Sequence, residues 1–312
     1  MVSIIITSYN KSATIRRAIN SAINQTYKNC EVIVVDDCST DNSHDIYKEF
    51  ADKIKLISTP NNCGVTYARE EGIQAARGKY LTFLDADDYL DITAIQHCVS
   101  YINKTNADIV QMKILRRFPQ LNLSVRFCSK YKEKQALEAC LYNERLFPVQ
   151  CCGKLYKADL VNKVSPIYYS GYWGDDRVFN IPIMYSKPKI AIAHKAKYNY
   201  TWGGFTTSQF NINAIQEYKE VYKIKHDWAM EYDYEFYIPK MQDELVSLLK
   251  YHIRHLINSN CMPKDCIIEY LEQELSQSFW SEFNMPTAQM LYSKEKKSLS
   301  RLIKKRISYF FK

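Results

Sequence analysis

The chain has 312 residues, a net charge of +8 and 46% hydrophobic residues, which is an ordinary globular composition. No apolar run approaches the roughly 20 residues that cross a bilayer, so we expect a soluble or peripheral protein rather than a transmembrane one. The length suits one large domain with a smaller appendage. The positive charge favours an anionic partner, such as a nucleotide, a membrane surface or a nucleic acid.

The cysteine pattern argues against a zinc knuckle. The ten cysteines include no CxxC spacing; Cys151 and Cys152 are adjacent, and the spacing from Cys261 to Cys266 is too loose. Met1 leads directly into a predicted strand, without a signal peptide. We therefore expect reduced thiols and a cytoplasmic protein.

The first 90 residues alternate between predicted strands and helices. Apolar residues at i, i+3, i+4 and i+7 predict a helix over 15–23, and further helices lie between the later strands. Such alternation is typical of a parallel sheet with right-handed crossovers. Apolar and β-branched runs predict its strands over 2–7, 31–35, 53–58 and 80–84.

Three carboxylates follow the fourth predicted strand: Asp85, Asp87 and Asp88. Open α/β sheets bind ligands beyond the carboxyl ends of their strands. Asp85 and Asp87 can present oxygens to one hard cation, Mg²⁺ or Mn²⁺, which would in turn bind a diphosphate. A solvated acidic turn is the plainer interpretation. The sequence has neither a GxGxxG motif nor a P-loop, so the phosphates must be bound in another way. A metal held by Asp85 and Asp87 could bind them.

Four motifs in the first 90 residues occur in the order found in a known enzyme family. They span 2–10 (VSIIITSYN), 34–41 (VVDDCSTD), 61–65 (NNCGV) and 83–88 (FLDADD). Together they resemble the family 2 inverting glycosyltransferases of the GT-A fold. The resemblance implies an α/β protein with a GT-A-like, mainly parallel sheet flanked by helices. Apolar spacing in the later residues adds a helical C-terminal appendage.

The resemblance also implies a site for the donor nucleotide. Thr7 and Tyr9 would line the base pocket, and Asp36 would accept a hydrogen bond from the imide N–H of uracil. Arg69 matches a position that faces the donor phosphates or sugar. Structural interpretations exist beside these roles: a helix cap for Asp36, a solvated helix residue for Arg69 and a packed turn residue for Tyr9. The implied donor site comprises Thr7, Tyr9, Asp36, Arg69 and Asp85, and the implied metal pair is Asp85 and Asp87.

Residues 171–179 (GYWGDDRVF) resemble the family motif that opens a helix and holds the catalytic base. An inverting transfer needs a carboxylate that takes the acceptor hydroxyl's proton, opposite the departing nucleotide diphosphate. The second acid of the family's pair usually has this role, so we expect Asp176 to be the base, with Asp175 beside it. Trp173 would offer an aromatic platform to a sugar ring, and Asp88 would lie on the same acceptor side. An acidic helix cap is the plainer interpretation of the pair.

The C-terminal third gives weaker signals. Apolar spacing predicts helices within 211–290, to which the resemblance assigns no role. Residues 291–312 predict a basic amphipathic helix of the kind that lies in an anionic bilayer interface, or else a packed helix with a solvated basic face. We therefore divide the chain into a catalytic domain, 1–210, a helical region, 211–290, and a basic tail, 291–312.

The predicted function is metal-dependent, inverting transfer of a hexose or N-acetylhexosamine from a nucleotide sugar to a glycan or lipid-linked glycan acceptor. A UDP-sugar is the favoured donor. The basic tail, which would hold the protein at the inner face of the cytoplasmic membrane, and the missing signal peptide favour a bacterial surface polysaccharide: capsule, O-antigen or lipooligosaccharide. Two alternatives stay open: a sugar-1-phosphate nucleotidyltransferase and a non-catalytic nucleotide- or glycan-binding module. Nucleic acid is not an expected partner, because the basic residues cluster at the tail.

Overall fold

The computed structural model describes residues 1–118, 123–126, 136–142, 148–163, 169, 171, 174–201, 214–259, 262–283 and 285–310. The chain forms two compact units, residues 1–208 and 209–312. The first unit contains the sheet, and the described part of the second unit is helical.

The first unit begins with four parallel strands. Strand β1 (Val2–Ser8) lies between β2 (Cys30–Asp36) and β4 (Tyr80–Asp85), and β3 (Lys55–Ser58) extends the sheet beyond β2. The predicted strands are thus found within two residues of their expected ends. The crossover helices are α1 (Ile15–Ile23), α2 (Ser43–Lys48) and α3 (Val65–Ala75). Because helices cover both faces, β1 and β4 are buried along nearly their whole length.

The rest of the sheet contains strands of both directions. These strands are β5 (Tyr89–Leu90), β6 (Ile109–Phe118), β7 (Leu123–Arg126), β8 (Lys154–Lys157) and β9 (Ile190–Thr201). The sheet order is β3-β2-β1-β4-β8-β6-β9-β5, with β7 paired to β6. β8 is antiparallel to both β4 and β6, whereas β9 is parallel to β6. The predicted α/β class is confirmed, with parallel pairing throughout the β1–β4 half and mixed pairing beyond it.

In the described part of the first unit there are four further helices: α4 (Ala94–Thr105), α5 (Ala136–Leu141), α6 (Ala158–Asn162) and α7 (Asp175–Tyr185). The main apolar core lies on the side of the sheet where α1 and α4 pack. Ile15, Ile19 and Ile95 are fully buried there. Burying side chains of this size contributes about 1.5–3 kcal/mol each, which anchors the strands whose ends form the site.

The second unit contains α8 (Ala214–Glu231), α9 (Ile238–Ser259), α10 (Lys264–Leu275) and α11 (Ala288–Phe310). Its interior holds an ion pair: Lys219 Nζ lies 2.8 Å from Glu274 Oε1, and both side chains are under 10% exposed. Trp280 Nε1 donates to the same oxygen at 2.9 Å. These contacts satisfy a carboxylate that would otherwise be costly to bury.

The start of the predicted basic tail packs inside this second unit. Leu291 and Tyr292 are buried, and buried Glu295 accepts a hydrogen bond from Arg254 at 2.8 Å. The basic side chains Lys294, Lys296, Lys297 and Arg301 are exposed. In the described part of the chain, no helix combines the length and the apolar character needed to cross a membrane.

Candidate active site

The carboxyl ends of β1, β2 and β4 meet at one edge of the sheet. In the parallel register Thr7 lies opposite both Val35 and Asp85, and Ser8 lies opposite Asp36. The segments that follow these strands therefore lie side by side. All three contain residues that the sequence motifs singled out.

Hydrogen bonds join the segments after β1 and β2. Asn10 Oδ1 accepts from the backbone amides of Thr40 (2.8 Å) and Asp41 (3.3 Å), and Asn10 N donates to Ser39 Oγ (2.9 Å). Asp41 Oδ2 accepts from Ser12 N at 2.8 Å. Asn10 has a φ of 51°, a left-handed conformation that asparagine adopts more readily than most residues. The backbone after β1 is therefore held in one conformation by its neighbour.

Asp37, which sequence reasoning did not single out, organises the loop before α3. Its carboxylate accepts hydrogen bonds from Thr59 Oγ1 (2.8 Å), Cys63 N (2.9 Å) and Gly64 N (2.7 Å). The side chain is 4% exposed. Gly64 has a φ of 91°, so this turn needs glycine. The available signal was the second acid of the VVDD motif, directly before a turn-rich segment.

Asp36 is fully buried and has a protein donor on each carboxylate oxygen. Tyr47 OH donates to Oδ1 at 2.8 Å, and Ser39 N donates to Oδ2 at 3.0 Å. Thr7 is half-buried, whereas Tyr9 is 42% exposed. The structure thus brings the three predicted base-pocket residues to one edge of the sheet, and their contact with a base stays a prediction.

The carboxylates after β4 have different surroundings. Asp88 is 1% exposed and accepts from Tyr198 OH and Thr201 N, both at 2.7 Å, so it holds the end of β9 at this edge. Burial, with the charge of acidic neighbours, raises the pKa of Asp88 well above its ordinary value. Asp87 is half-buried and accepts a hydrogen bond from Lys11 Nζ at 2.6 Å. The predicted place of Asp88 on the acceptor side stays a prediction.

The pKa of Asp85, at the end of β4, is affected by nearby charges from its own acidic segment and from the acidic pair at the start of α7. Burial raises the pKa of Asp85, and the Arg69 guanidinium lowers it. The charges of Asp176, Asp87 and Asp175 raise it again. The predicted metal-binding residue and the predicted catalytic pair are therefore close enough to influence each other's protonation.

Arg69 of α3 binds the acidic pair at the start of α7. Its Nη1 donates to Asp175 Oδ2 at 2.7 Å, and its Nη2 lies 3.3 Å from Asp176 Oδ1. Arg69 is 4% exposed, and among the described residues its Nε has no hydrogen-bond partner. Burial and the charge of Asp176 raise the pKa of Asp175, against the lowering effect of Arg69. Cys151 N donates to Asp176 Oδ1 at 2.9 Å, which fixes that side chain further.

The helix start itself positions these two acids. Gly174, with a φ of 89°, precedes α7, and Asp175 and Asp176 occupy its first turn. Negative charge is favourable at a helix N-terminus because of the helix dipole. Trp173, the predicted sugar platform, lies outside the described residues.

Two sets of side chains could hold a metal here. Ligand atoms of Asp85, Asp88 and Cys152 lie within 4.8 Å of one another. Burial raises the pKa of the Cys152 thiol well above its ordinary value, and sulfur is too soft a ligand for Mg²⁺ or Mn²⁺. Both oxygens of Asp88 already have donors. Asp85 and Asp87 offer carboxylate oxygens, which a hard divalent cation prefers, and Asp87 Oδ2 already accepts from Lys11. Their role as a metal pair stays a prediction.

Residues 3–164, just over half of the chain, match the family described as Glycosyl transferase family 2. The chain belongs to this family. The matched region contains β1 to β4, Arg69 and the acidic segment after β4, and it ends before Asp175 and Asp176. The family predicted from the four sequence motifs is confirmed.

Other family 2 glycosyltransferases resemble parts of the chain. It is 30% identical over 216 residues to glycosyltransferase GlyA of Streptococcus pneumoniae, covering 64% of this chain and 30% of that protein. It is 41% identical over 103 residues to WfaP of Escherichia coli, named as a UDP-Glc:α-D-GlcNAc-diphosphoundecaprenol β-1,3-glucosyltransferase, covering 33% and 41%. The chain thus spans less than half the length of these curated relatives.

A solved structure shares the fold of this family 2 chain over almost its whole length. Residues 1–349 of Staphylococcus aureus TarS, in complex with UDP-GlcNAc, superpose with a TM-score of 0.65 at 17% sequence identity. The match covers 97% of this chain and 91% of the TarS chain. The predicted GT-A fold is confirmed.

We expect Asp37→Ala to lower the free energy of unfolding by about 1–3 kcal/mol, because the partly buried amides of Cys63 and Gly64 lose their acceptor. Urea denaturation followed by circular dichroism measures this change. Asp52→Ala, which removes an exposed carboxylate, is the control and should change stability by less than about 0.5 kcal/mol. Equal stability of the two variants would contradict the role assigned to Asp37.

Proposed function

We propose that the protein is an inverting glycosyltransferase that moves a hexose or N-acetylhexosamine from a UDP-sugar to a glycan acceptor. One observation carries this proposal. In this chain of glycosyl transferase family 2, two acidic pairs lie close enough to affect each other electrostatically. Asp85 and Asp87 follow β4, and Asp175 and Asp176 begin α7. Arg69, which binds the second pair, also acts electrostatically on Asp85.

A UDP-sugar is favoured because TarS, which shares the fold, binds UDP-GlcNAc, and because WfaP is named for UDP-Glc. In this chain Asp36 would accept from the uracil imide N–H. A carboxylate offers about four lone-pair directions. Tyr47 and Ser39 each use one of them, and His44 Nε2 lies 3.3 Å from Oδ2, so Asp36 keeps capacity for a further donor mainly at Oδ1.

Asp85 and Asp87 would hold Mn²⁺ or Mg²⁺ through their oxygens. When bound, such a cation neutralises negative charge on the departing UDP. We assign Arg69 to a positioning role rather than to direct phosphate contact. Its two Nη atoms are engaged by Asp175 and Asp176, and its side chain is buried.

Asp176 is the proposed general base. Its side chain is 28% exposed, against 16% for Asp175. Its contacts with Arg69 and Cys151 both involve Oδ1, and no described residue donates to Oδ2. An open oxygen is what a base needs in order to take a proton from an acceptor hydroxyl. Asp175 would hold the guanidinium and thereby orient Asp176.

The direct test is a screen of UDP-sugars for UDP release, with and without glycan acceptors, in Mn²⁺ and in EDTA. We expect one donor to give UDP release that EDTA abolishes, because the metal carries part of the leaving-group charge. A protein that binds UDP and Mn²⁺ yet releases UDP from no donor would be a binding module. Full activity in EDTA would exclude the metal-dependent mechanism.

Substitutions should separate donor binding from chemistry. Asp85→Ala or Asp87→Ala should abolish metal-dependent UDP binding, measured by calorimetry, because each removes a proposed metal ligand. Asp176→Asn should keep donor binding and lower kcat by about 10²–10⁴-fold, the usual contribution of a general base. Equal loss of donor affinity in all three variants would mean that the roles are misassigned. Exposed Asp52→Asn serves as the control.

We further propose a lipid-linked glycan as the acceptor, in the synthesis of a bacterial surface polysaccharide such as capsule, O-antigen or lipooligosaccharide. The WfaP relative is named for a diphosphoundecaprenol-linked acceptor, which supports this class. The basic residues of 291–312 would hold the protein on an anionic membrane surface, where such acceptors are anchored.

Replacing Lys304, Lys305 and Arg306 by Gln in the full chain should release it from anionic vesicles, because each basic residue near such a surface adds about 1 kcal/mol. Charge substitution is preferable to deleting the tail, since deletion from residue 294 would remove the Glu295 partner of Arg254. Co-sedimentation with phosphatidylglycerol vesicles measures binding, and neutral vesicles are the control. Unchanged co-sedimentation would refute membrane attachment through these charges.

A further inference from the structure

The Lys11 ammonium forms an ion pair with the carboxylate of Asp87, one of the two proposed metal ligands. Lys11 Nζ lies 2.6 Å from Asp87 Oδ2, and each side chain is 21% exposed. Among the described residues, no other cationic side chain contacts this carboxylate. A divalent cation that bound Asp87 would therefore compete with this ammonium for Oδ2 and would be repelled by its charge.

The backbone around Lys11 is fixed, whereas its side chain can move. Lys11 O accepts from Thr14 N and Ile15 N, both at 2.9 Å, where α1 begins. The preceding residue, Asn10, is tied to the segment after β2. The lysine stem is flexible, so the ammonium can swing by several ångströms without rearrangement of the chain. Lys11 thus acts as a tethered cation at the edge of the site.

The charge balance of the site identifies Lys11 as its exchangeable cation. Two cationic side chains, Lys11 and Arg69, contact its carboxylates in the described part of the chain, whereas Arg17 contacts the backbone carbonyl of Asp87. Arg69 is buried and engaged by two carboxylates, so it cannot leave without exposing unpaired charge. Lys11 has one carboxylate partner and is partly exposed to water. Lys11 pairs with Asp87, Arg69 pairs with Asp175 and Asp176, and Arg69 also acts electrostatically on Asp85.

We propose that Lys11 is a resident counter-ion that a divalent cation displaces from Asp87, and that the displaced ammonium then binds the donor diphosphate. This inference rests on the proposed function, because it assumes a metal on Asp85 and Asp87. It makes Lys11 a donor-binding residue as well as a competitor of the metal. Removal of its charge must then have opposite effects on the two ligands.

The experiment measures Mn²⁺ binding to the full chain without nucleotide, from the electron paramagnetic resonance signal of free Mn²⁺. UDP binding is then measured by calorimetry in saturating Mn²⁺. Lys11→Met should tighten Mn²⁺ binding about fivefold, the upper end of the scale for a partly exposed ion pair. The same variant should weaken UDP binding about tenfold, because a charge-assisted phosphate contact is lost. Lys11→Arg, which keeps the charge, should stay within about threefold of the unmodified chain for both ligands.

The matched control is Lys104→Met, which removes the same charge from an exposed position of α4 and should change neither affinity. Weaker binding of both ligands by Lys11→Met would point to a structural role and overturn the inference. An unchanged Mn²⁺ affinity in this variant would also overturn it, while leaving the proposed function intact. If the unmodified chain bound no Mn²⁺, the metal part of the proposed function would fail, and this inference would fail with it.

Discussion

The structure of the site depends on an excess of negative charge held at the carboxyl edge of a buried sheet. Asp85, Asp88 and Asp175 are sufficiently buried that their pKa values rise. Unpaired carboxylates in such a place would take up protons and lose their capacity as metal ligands or bases. Arg69, buried between α3 and α7, opposes this effect by lowering the pKa of Asp85 and Asp175. One guanidinium therefore acts electrostatically on both acidic segments, while burial still leaves the pKa of Asp85 and Asp175 above the ordinary value.

Polar contacts arrange this edge before any ligand binds. Asn10 joins the segments after β1 and β2, Asp37 holds the loop that leads to α3, and Asp88 holds the end of β9. In each case a side chain accepts hydrogen bonds from backbone amides of another segment. These loops are therefore held in place without regular secondary structure. Donors and charges placed in advance in this way stabilise a transition state without reorganisation during the reaction. The Lys11 side chain has a flexible stem and one carboxylate partner, which suits the exchange proposed for it.

Much of the first half of the molecule could be predicted from its sequence. The strands β1, β2 and β4 and the helix α1 follow from local periodicity, and the four motifs identified the family correctly. The acidic residues after β4 could be predicted as site residues because they follow a buried strand at the point where it reaches solvent. Asp37 was missed, because its partners, Cys63 and Gly64, lie more than 25 residues further along the chain. The antiparallel entry of β8 between β4 and β6 was likewise invisible to local patterns.

The sequence by itself determined the α/β class, the parallel direction of the first four strands and the kinds of chemical group that lie at their carboxyl ends. These features depend on short-range periodicity and on motif spacing, which a linear sequence carries. Only the tertiary structure decided how the acidic groups are paired: Arg69 with Asp175 and Asp176, Lys11 with Asp87, and Tyr198 with Asp88. Such pairings join residues 70 to 110 positions apart, and they form because parallel strands bring their carboxyl ends to the same edge.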